Sequence, residues 1–404
     1  MKQNFKQWVW MACLVWGMMA PVHGPVFAAD PTVDPSADPS ADPPTNPSFG
    51  STPDPNRKAP RVPWIRDRTW TDILDQARSN DQPVLIDFTA DWCGPCRLLD
   101  VMVFTEKAVI TELAEVVTFQ VDFDRPEYAS LNEAFSVEVL PTIIWCNSAG
   151  EEIDRFTGYR SSGEFLEIVR AWRENRTIDR MLADRRAASP EDPTVLLDLA
   201  RRHAELGQDR EADVLYRRLM NLRHKADTRT VARGFLGLAE LEGKSGNRTK
   251  SDRLVTKAVD LYTGPEPSAE ILSFRTEGLM EIALFQESRG DTLGVLETYR
   301  TMVQLDDREV LGLDGFARTA VDAGVELEEA TRCALRAMVF SDKDARIIGT
   351  LAETYYRRRL YTKAIRWINL AIERDPADTQ FRDRLAAYET AQTDAAAGRS
   401  WSSN

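Results

Sequence analysis

Hydrophobic and polar positions follow two different patterns along this chain, and the pattern changes near residue 178. Before that point, short apolar runs alternate with segments in which apolar residues recur every three or four positions. Short apolar runs are typical of buried strands, and the longer spacing is typical of helices with one buried face. The predicted elements, in chain order, are a helix at 70–78, a strand at 84–88, a helix ending near 102, a helix at 106–113, a strand at 116–123, a helix at 128–135, strands at 142–146 and 152–157, and a helix at 162–174.

This order of elements predicts an α/β domain over residues 64–176. Helices alternate with the first three strands, and a turn at Ser148-Ala149-Gly150 joins the last two strands as a hairpin. Strands connected in this way form a mixed central sheet flanked by helices.

From Ile178 onward the strand pattern disappears, and the sequence predicts pairs of helices with glycine or charged turns between them. A repeated spacing is the sign of a repeat architecture. The clearest unit comes last, and its characteristic positions are Ile348, Leu351, Ala352, Tyr355, Tyr361, Ala364, Ile368, Ala371 and Pro376. Four weaker copies precede it, starting near Leu196, Phe235, Leu279 and Ala317.

These five units resemble tetratricopeptide repeats, which implies an all-α solenoid over residues 177–392. Solenoids of this kind present a concave face, whose usual use is to bind a peptide or another protein. Two simpler interpretations stay open: an unrelated helical array, or a packing module that only supports the α/β domain.

The composition is consistent with a folded protein of two or more domains. The chain has 404 residues, of which 43% are hydrophobic, so each domain can bury a full core. The formal net charge of −13 argues against nucleic acid as a partner. Arginines alternate with the acidic residues along the helices, and we interpret this pattern as solvated surface.

The two ends of the chain differ in composition from the rest. Two lysines, an apolar stretch from Trp8 to Ala20 and small residues around Ala28 are typical of a secretory signal peptide at 1–28. The alternative is an uncleaved N-terminal anchor. Residues 29–63 repeat Asp, Pro and Ser and predict a disordered linker, and 393–404 predict a disordered tail. The expected location is therefore the periplasm or another exported compartment, with a soluble chain after cleavage.

The candidate chemistry lies in Trp92-Cys93-Gly94-Pro95-Cys96, between a predicted strand and a predicted helix. Two cysteines separated by two residues can close a small disulfide and reopen it. The free N–H groups at a helix N-terminus stabilise a thiolate, so Cys93 is predicted to point outward as the attacking nucleophile. Cys96, one turn further, would then resolve the mixed disulfide.

The other cysteines and the remaining chemistry-bearing residues do not predict a second site. Cys146 lies in an apolar strand and Cys333 in a helical pattern, which favours buried hydrophobic positions for both. A metal site would need two further ligands beside the cysteine pair, and covalent haem would need a histidine where Arg97 stands. We therefore expect no metal and no cofactor other than the redox-active disulfide.

At this point the sequence resembles a known family. Trp92-Cys93-Gly94-Pro95-Cys96 after an apolar strand is similar to the active-site motif of the thioredoxin family. The resemblance is strongest to the C-terminal thioredoxin-like domain of DsbD-type interchange proteins. Further segments in family order are Ala90-Asp91-Trp92, Val103-Phe104-Thr105, Val139-Leu140-Pro141-Thr142 and Phe156-Thr157-Gly158-Tyr159.

The resemblance implies roles for residues outside the cysteine pair. Asp87 would be a buried carboxylate that exchanges a proton with Cys96, although a strand-end aspartate that only caps a turn is the simpler alternative. Trp92, Gly94 and Pro95 would belong to the catalytic motif. Leu140, a cis Pro141 and Gly158 would bind an extended client segment. The sequence departs from the family at Gln120, where many members have a lysine near the buried aspartate.

The expected function is therefore that of an exported thiol–disulfide oxidoreductase. The Gly-Pro dipeptide between the cysteines resembles reducing members of the family, which favours a reductase or isomerase acting on client proteins. In an oxidising compartment such an enzyme needs an electron donor, and a DsbD-like membrane protein is the natural hypothesis. The alternative is a protein-binding scaffold without turnover, in which the thioredoxin-like domain is a redox-sensitive docking element.

Overall fold

The computed structural model describes residues 61–90, 92–264, 269–376 and 378–397, and of 269–273 only the backbone. The predicted signal peptide, nearly all of the predicted linker and the last seven residues of the predicted tail lie outside these ranges. Within them, no helix is both long enough and apolar enough to cross a bilayer.

The first part of the chain is an α/β domain with a four-stranded mixed sheet, as the sequence predicts. The spatial order of its strands is β2-β1-β3-β4, in which β1 runs parallel to β2 and antiparallel to β3, and β3 pairs with β4 as a hairpin. The elements are α1 (Trp70–Asn80), β1 (Val84–Thr89), α2 (Gly94–Met102), α3 (Lys107–Glu112), β2 (Val117–Asp122), α4 (Ala129–Ala134), β3 (Thr142–Cys146), β4 (Glu152–Thr157) and α5 (Ser162–Arg173).

The core lies on both faces of this sheet, because the two central strands β1 and β3 are buried along almost their whole length. On one face, Trp172 of α5 stacks on Trp145 and Phe156, with ring centroids 5.7 and 6.0 Å apart. The Trp172 indole N–H donates to Asp154 Oδ2 (2.8 Å), and the backbone N–H of Ile178 donates to the same oxygen (2.6 Å). Asp154 therefore fixes the point at which the α/β domain passes into the helical part.

From residue 178 the described chain is helical, which confirms the predicted all-α architecture. Each of the five predicted repeat units is a pair of contacting helices, and the second helix of each pair also contacts the first helix of the next. The helices are α6 (Ile178–Ala188), α7 (Pro193–Glu205), α8 (Asp209–Asn221), α9 (Thr228–Lys244), α10 (Arg248–Thr263), α11 (Ala269–Ser288), α12 (Thr292–Leu305), α13 (Val310–Ala323), α14 (Leu327–Phe340), α15 (Ala345–Arg357), α16 (Tyr361–Arg374) and α17 (Gln380–Ala396).

Glycines end the first helix of four of these pairs. Gly207, Gly246, Gly290 and Gly324 follow α7, α9, α11 and α13, and each has a positive φ between 68° and 81°. A residue in this left-handed conformation stops a helix and turns the chain back, and glycine adopts it without a steric cost.

Two predicted boundaries are shifted by tertiary contacts. The linker was predicted to reach residue 63, but Val62 is buried and its N–H donates to the Phe104 carbonyl (2.9 Å). The tail was predicted to start at 393, but α17 continues to Ala396. Tyr388 is buried in this helix and stacks on Tyr356 (4.5 Å between ring centroids), so packing holds a polar segment in helical form.

Candidate active site

The predicted cysteine pair forms a disulfide at the N-terminus of α2. Cys93 is the residue that caps the helix, and the backbone N–H of Cys96 donates to Cys93 Sγ over 3.2 Å. Pro95 stands in the first turn, where its missing N–H has no helical partner to lose. After reduction, the same N–H would favour the thiolate form of Cys93.

Trp92 lies beside the disulfide with its side chain in solvent, 63% exposed. Its indole N–H donates to Asp124 Oδ2 (2.7 Å), which orients the ring. Asp124 follows β2 and has no feature in the sequence that marks it as part of the site. It reaches the site because β2 pairs in parallel with β1, and the cysteine motif follows the end of β1.

The predicted client-binding residues come together next to the disulfide. Leu140 packs against the cluster of Ala90, Cys93 and Cys96, and the Leu140–Pro141 peptide bond is cis. The N–H of Gly158 donates to the Pro141 carbonyl over 2.9 Å. β3 and β4 bring these residues together, because Pro141 precedes β3 and Gly158 follows β4 in an antiparallel hairpin.

Asp87 is a buried carboxylate in β1, as the resemblance implies, and it does not cap a turn. Its side chain is 2% exposed, and its Oδ1 has no hydrogen-bond partner. Burial, with Asp100 nearby, raises the pKa of Asp87 to about 7, although Gln120 and Arg66 act in the opposite direction. A carboxyl group with this pKa can take up and release a proton near neutral pH.

Gln120 faces Asp87 because the two are register partners in the parallel strands β1 and β2. Its amide Nε2 donates to Asp87 Oδ2 (2.7 Å), and its Oε1 accepts from Arg66 Nε (2.7 Å). Arg66 thereby fixes the amide so that the NH₂ group points at the carboxylate. The sequence shows that position 120 has no lysine, but it does not indicate Arg66. The positive charge of Arg66 acts on the Asp87 carboxylate through the Gln120 amide.

Cys93 lies at the helix N-terminus, as predicted, but it is not exposed to solvent. Cys93 is only 3% exposed, and so is Cys96. Phe123 and Leu140 pack against the cysteine pair, and α11 packs against the first turn of α2 next to Cys93. A Cβ atom added at Gly94 would lie 2.5 Å from Leu284 Cδ2 and 2.7 Å from Glu287 Oε2, so glycine is the residue that allows this close approach.

The two other described cysteines are free and buried. Burial raises the pKa of Cys146 to about 12, with Glu152 acting in the same direction. Burial likewise raises the pKa of Cys333 to about 12, supported by Glu329. Both thiols therefore stay protonated at neutral pH, as expected for buried hydrophobic positions. No group of three or more His, Cys, Asp or Glu residues in the described part of the chain could hold a metal ion.

Comparison with known proteins gives a family for the α/β domain. The thioredoxin family model matches residues 62–171. Thioredoxin H4 from Arabidopsis thaliana is 35% identical over 101 residues, which are 25% of this chain and 81% of that protein. The thiol:disulfide interchange protein DsbD from Yersinia pestis (strain Pestoides F) is 35% identical over 95 residues, which are 22% of this chain. The match spans only 16% of the length of DsbD.

Solved structures resemble each part of the chain separately. A thioredoxin from Thermus thermophilus covers 26% of this chain at 27% identity with a TM-score of 0.24, and 82% of that chain is matched. YrrB, described as a tetratricopeptide protein with an unusual peptide-binding site, covers 50% of this chain at 14% identity with a TM-score of 0.35, and 96% of YrrB is matched. Both TM-scores are low, so the architecture of each part rests on its own helices and strands.

The α/β domain thus has the mixed sheet and the disulfide at a helix N-terminus that its sequence predicts, and the cis proline that the resemblance implies. It aligns with most of a thioredoxin. Through residues 62–171, this chain belongs to the thioredoxin family, and a tetratricopeptide-like helical region follows that domain.

Proposed function

We propose that this chain is an exported thiol–disulfide oxidoreductase that reduces or isomerises disulfides in client proteins. The observation that carries the proposal is the Cys93–Cys96 disulfide at the N-terminus of α2, with the Cys96 N–H directed at Cys93 Sγ. This arrangement activates the first thiol of the reduced pair and keeps the second within reach of it.

The reaction transfers two electrons from the dithiol to a client disulfide. The Cys93 thiolate attacks one sulfur of the client disulfide, the client S–S bond breaks, and the other client sulfur leaves as a thiolate. The client stays bound to Cys93 through the mixed disulfide that has formed. Cys96 then attacks Cys93 Sγ, which restores the Cys93–Cys96 disulfide and releases the second client thiol. The client is reduced and the enzyme pair is oxidised.

Asp87 is the proposed proton acceptor for Cys96 in the second step. Cys96 must lose its proton before it attacks. A buried carboxyl group on β1, the strand that leads into the cysteine motif, with a pKa near neutrality is matched to that task. The Arg66–Gln120 pair would hold Asp87 in place without fixing it permanently in the ionised form.

We assign the reducing or isomerising direction because Gly94 and Pro95 stand between the cysteines. Neither residue adds a positive charge that would stabilise the Cys93 thiolate further, and a less stabilised thiolate makes the pair a better reductant. The oxidised enzyme then needs a dithiol donor, for which a DsbD-like membrane protein is the proposed class. The exported location rests on the sequence of residues 1–28, and the need for a donor follows from that location. Mass spectrometry of the N-terminus of the secreted chain tests cleavage after Ala28.

A turnover assay tests the proposal. The full chain should accelerate the reduction of insulin disulfides by dithiothreitol, and Cys93→Ser should abolish the acceleration. Cys333→Ala, which changes a buried thiol far along the sequence, is the matched control and should retain it. If the full chain gives no acceleration over dithiothreitol alone, turnover as proposed does not occur.

A second candidate is a protein-binding scaffold without turnover, and the burial of Cys93 favours it. The variant Cys96→Ser separates the two candidates, because it leaves a mixed disulfide that Cys96 can no longer resolve. An oxidoreductase variant of this kind captures disulfide-containing proteins covalently, whereas a scaffold captures none.

A further inference from the structure

The helices that pack beside the disulfide belong to one face of the repeats. The first helices of the successive pairs, α7, α9, α11 and α13, contribute the side chains that meet the α/β domain, and we call this surface the first-helix face. At its centre, Leu284 and Glu287 of α11 lie against Gly94. Trp92 lies beside this contact and is exposed to solvent, so the contact does not extend over its side chain.

Specific polar contacts hold the first-helix face in place. The Tyr159 hydroxyl donates to Glu277 Oε1 over 2.6 Å. Glu164 of α5 pairs with Arg201 (2.5 Å) and with Arg233 (3.1 Å). Burial alone would raise the pKa of Glu164, but Arg233 and Arg201 outweigh it and hold that pKa well below the usual range. These contacts are made between two domains and are not part of the fold of either.

The same contacts extend to the active-site helix. Arg97, directly after Cys96, is partly buried, and desolvation together with Arg318 lowers its pKa to about 10. Glu287 and Asp314 act in the opposite direction on the Arg97 guanidinium. The first-helix face therefore brings one like charge and two opposite charges to Arg97 of α2.

Thiol–disulfide exchange requires access to the sulfur that is attacked. Cys93 is 3% exposed, Leu140 packs against it from one side, and α11 lies on the neighbouring Gly94. A protein thiol therefore has no open approach to Sγ while α11 stays on α2. Polar contacts between domains of one chain resemble transient interfaces, in which the released charges become hydrated, so relative movement of the domains is the default expectation. The covered state and an open state can thus both exist in the same chain.

We propose that the first-helix face is a gate over the Cys93–Cys96 disulfide, and that protein partners reach the disulfide only when α11 moves away from α2. This inference rests on the proposed function, since it concerns access to the same disulfide. It assigns the repeats an internal partner, the thioredoxin-like domain, whose binding competes with client exchange.

The test compares a small and a large reductant on the oxidised full chain. Dithiothreitol and a reduced thioredoxin are supplied separately, and the loss of the disulfide is followed by quenching, alkylation and mass spectrometry. The variants Leu284→Ala and Glu164→Gln weaken the gate. Leu293→Ala, at a leucine that is 78% exposed, and Glu112→Gln, at a glutamate that pairs with Arg170, are the matched controls.

We expect both gate variants to be reduced by thioredoxin roughly tenfold faster than wild type, because the open state becomes more populated. The rate with dithiothreitol should change much less, and both controls should match wild type. If Leu284→Ala does not fold, Tyr159→Phe is the milder variant, since it removes only the hydroxyl bonded to Glu277. Equal thioredoxin rates for wild type and folded gate variants would overturn the gate.

The insulin assay separates this result from a failure of the proposed function. If wild type turns over insulin and the gate variants have the same rates as wild type, the gate is rejected and the proposed oxidoreductase function stands. Turnover that is present in wild type and faster in the gate variants supports both. Absence of turnover in wild type and in every gate variant rejects the oxidoreductase, and the thioredoxin reduction rates still decide whether the face limits access.

Discussion

Asp87 is a residue whose charge is controlled by its neighbours. In the unfolded chain its carboxyl group loses the proton near pH 3.8, whereas burial keeps it protonated in the folded chain up to about pH 7. Between these values the folded state binds more protons than the unfolded state, so the contribution of Asp87 to the free energy of unfolding falls as pH rises from about 4 to about 7.

The variant Asp87→Asn removes this pH dependence. At pH 8 it should have a free energy of unfolding higher than wild type by on the order of 2–4 kcal/mol, and at pH 4 the difference should nearly vanish. Urea unfolding of the oxidised proteins at both pH values measures this difference in the free energy of unfolding. Asp75→Asn, at an exposed position on α1, is the control and should stay within about 0.5 kcal/mol of wild type. An advantage of Asp87→Asn that is equal at both pH values contradicts the account.

The cysteines give a second prediction at this scale. In the reduced native protein at pH 8, iodoacetamide should modify Cys93 and leave Cys146 and Cys333 unmodified, because burial raises the pKa of both thiols to about 12. Peptide mass spectrometry in the native state and in urea measures the difference. Native labelling of Cys146 as fast as Cys93 is the contrary outcome.

At the residue scale, the sequence predicts those site residues that belong to a contiguous motif or a recognisable segment. Cys93, Cys96 and Pro141 are of this kind, and the structure brings them together. Arg66 is different, because it lies in an irregular segment 54 residues from Gln120, and only a single bridge between Ile65 and Phe119 aligns the two. A long-range contact of this kind leaves no local pattern.

At the scale of elements, hydrophobic periodicity predicts the strands and helices of the α/β domain to within a few residues, because each has a strongly buried face. β3 and β4 have the predicted bounds. The errors occur where burial comes from a distant element, as for Val62 against Phe104 and for the end of α17.

Glycines opposite tyrosines are the recurring contact between repeats. Tyr216, Tyr262 and Tyr299 on the second helices of three pairs pack on Gly237, Gly278 and Gly315 of the next first helices, where an added Cβ would lie 2.1–2.4 Å from the ring. The glycine thus gives the aromatic ring the room that a tight helix crossing requires.

The variant Gly315→Ala should therefore destabilise the protein by about 1–3 kcal/mol, since the ring of Tyr299 must move. Gly163→Ala in α5 is the matched control: nothing lies within 4 Å of its added Cβ, and replacing a helical glycine should stabilise by about 0.5–1 kcal/mol. Thermal unfolding of both variants compares them, and equal midpoints would refute the tyrosine contact.

At the scale of the whole molecule, charge composition predicts the arrangement least well. The alternation of arginines and glutamates in the repeats predicts solvated surface, yet Arg233, Glu277 and Glu281 are largely buried between helices. Composition gives the number of charges but not their partners, because an exposed helix and a domain interface use the same residue types.

The variant Arg233→Gln tests this buried network. It leaves Glu281 and Glu164 without their main partner, and breaking a buried ion pair from one side costs roughly 3–5 kcal/mol. Arg217→Gln, at an arginine that is 54% exposed and pairs with Asp213, is the control and should change the free energy of unfolding by less than about 0.5 kcal/mol. Denaturant titration of the full chain measures both, and a loss for Arg233→Gln no larger than that of the control would show that the network contributes little.

The reduction potential of the Cys93–Cys96 pair tests the central claim most directly. The purified chain is equilibrated with dithiothreitol or glutathione buffers, and the fraction of disulfide is determined by alkylation. The account predicts a reversible two-electron couple near about −270 mV, the value of a reducing thioredoxin. A potential near about −120 mV would instead identify a disulfide donor, and a pair that does not equilibrate with either buffer would contradict thiol–disulfide exchange altogether.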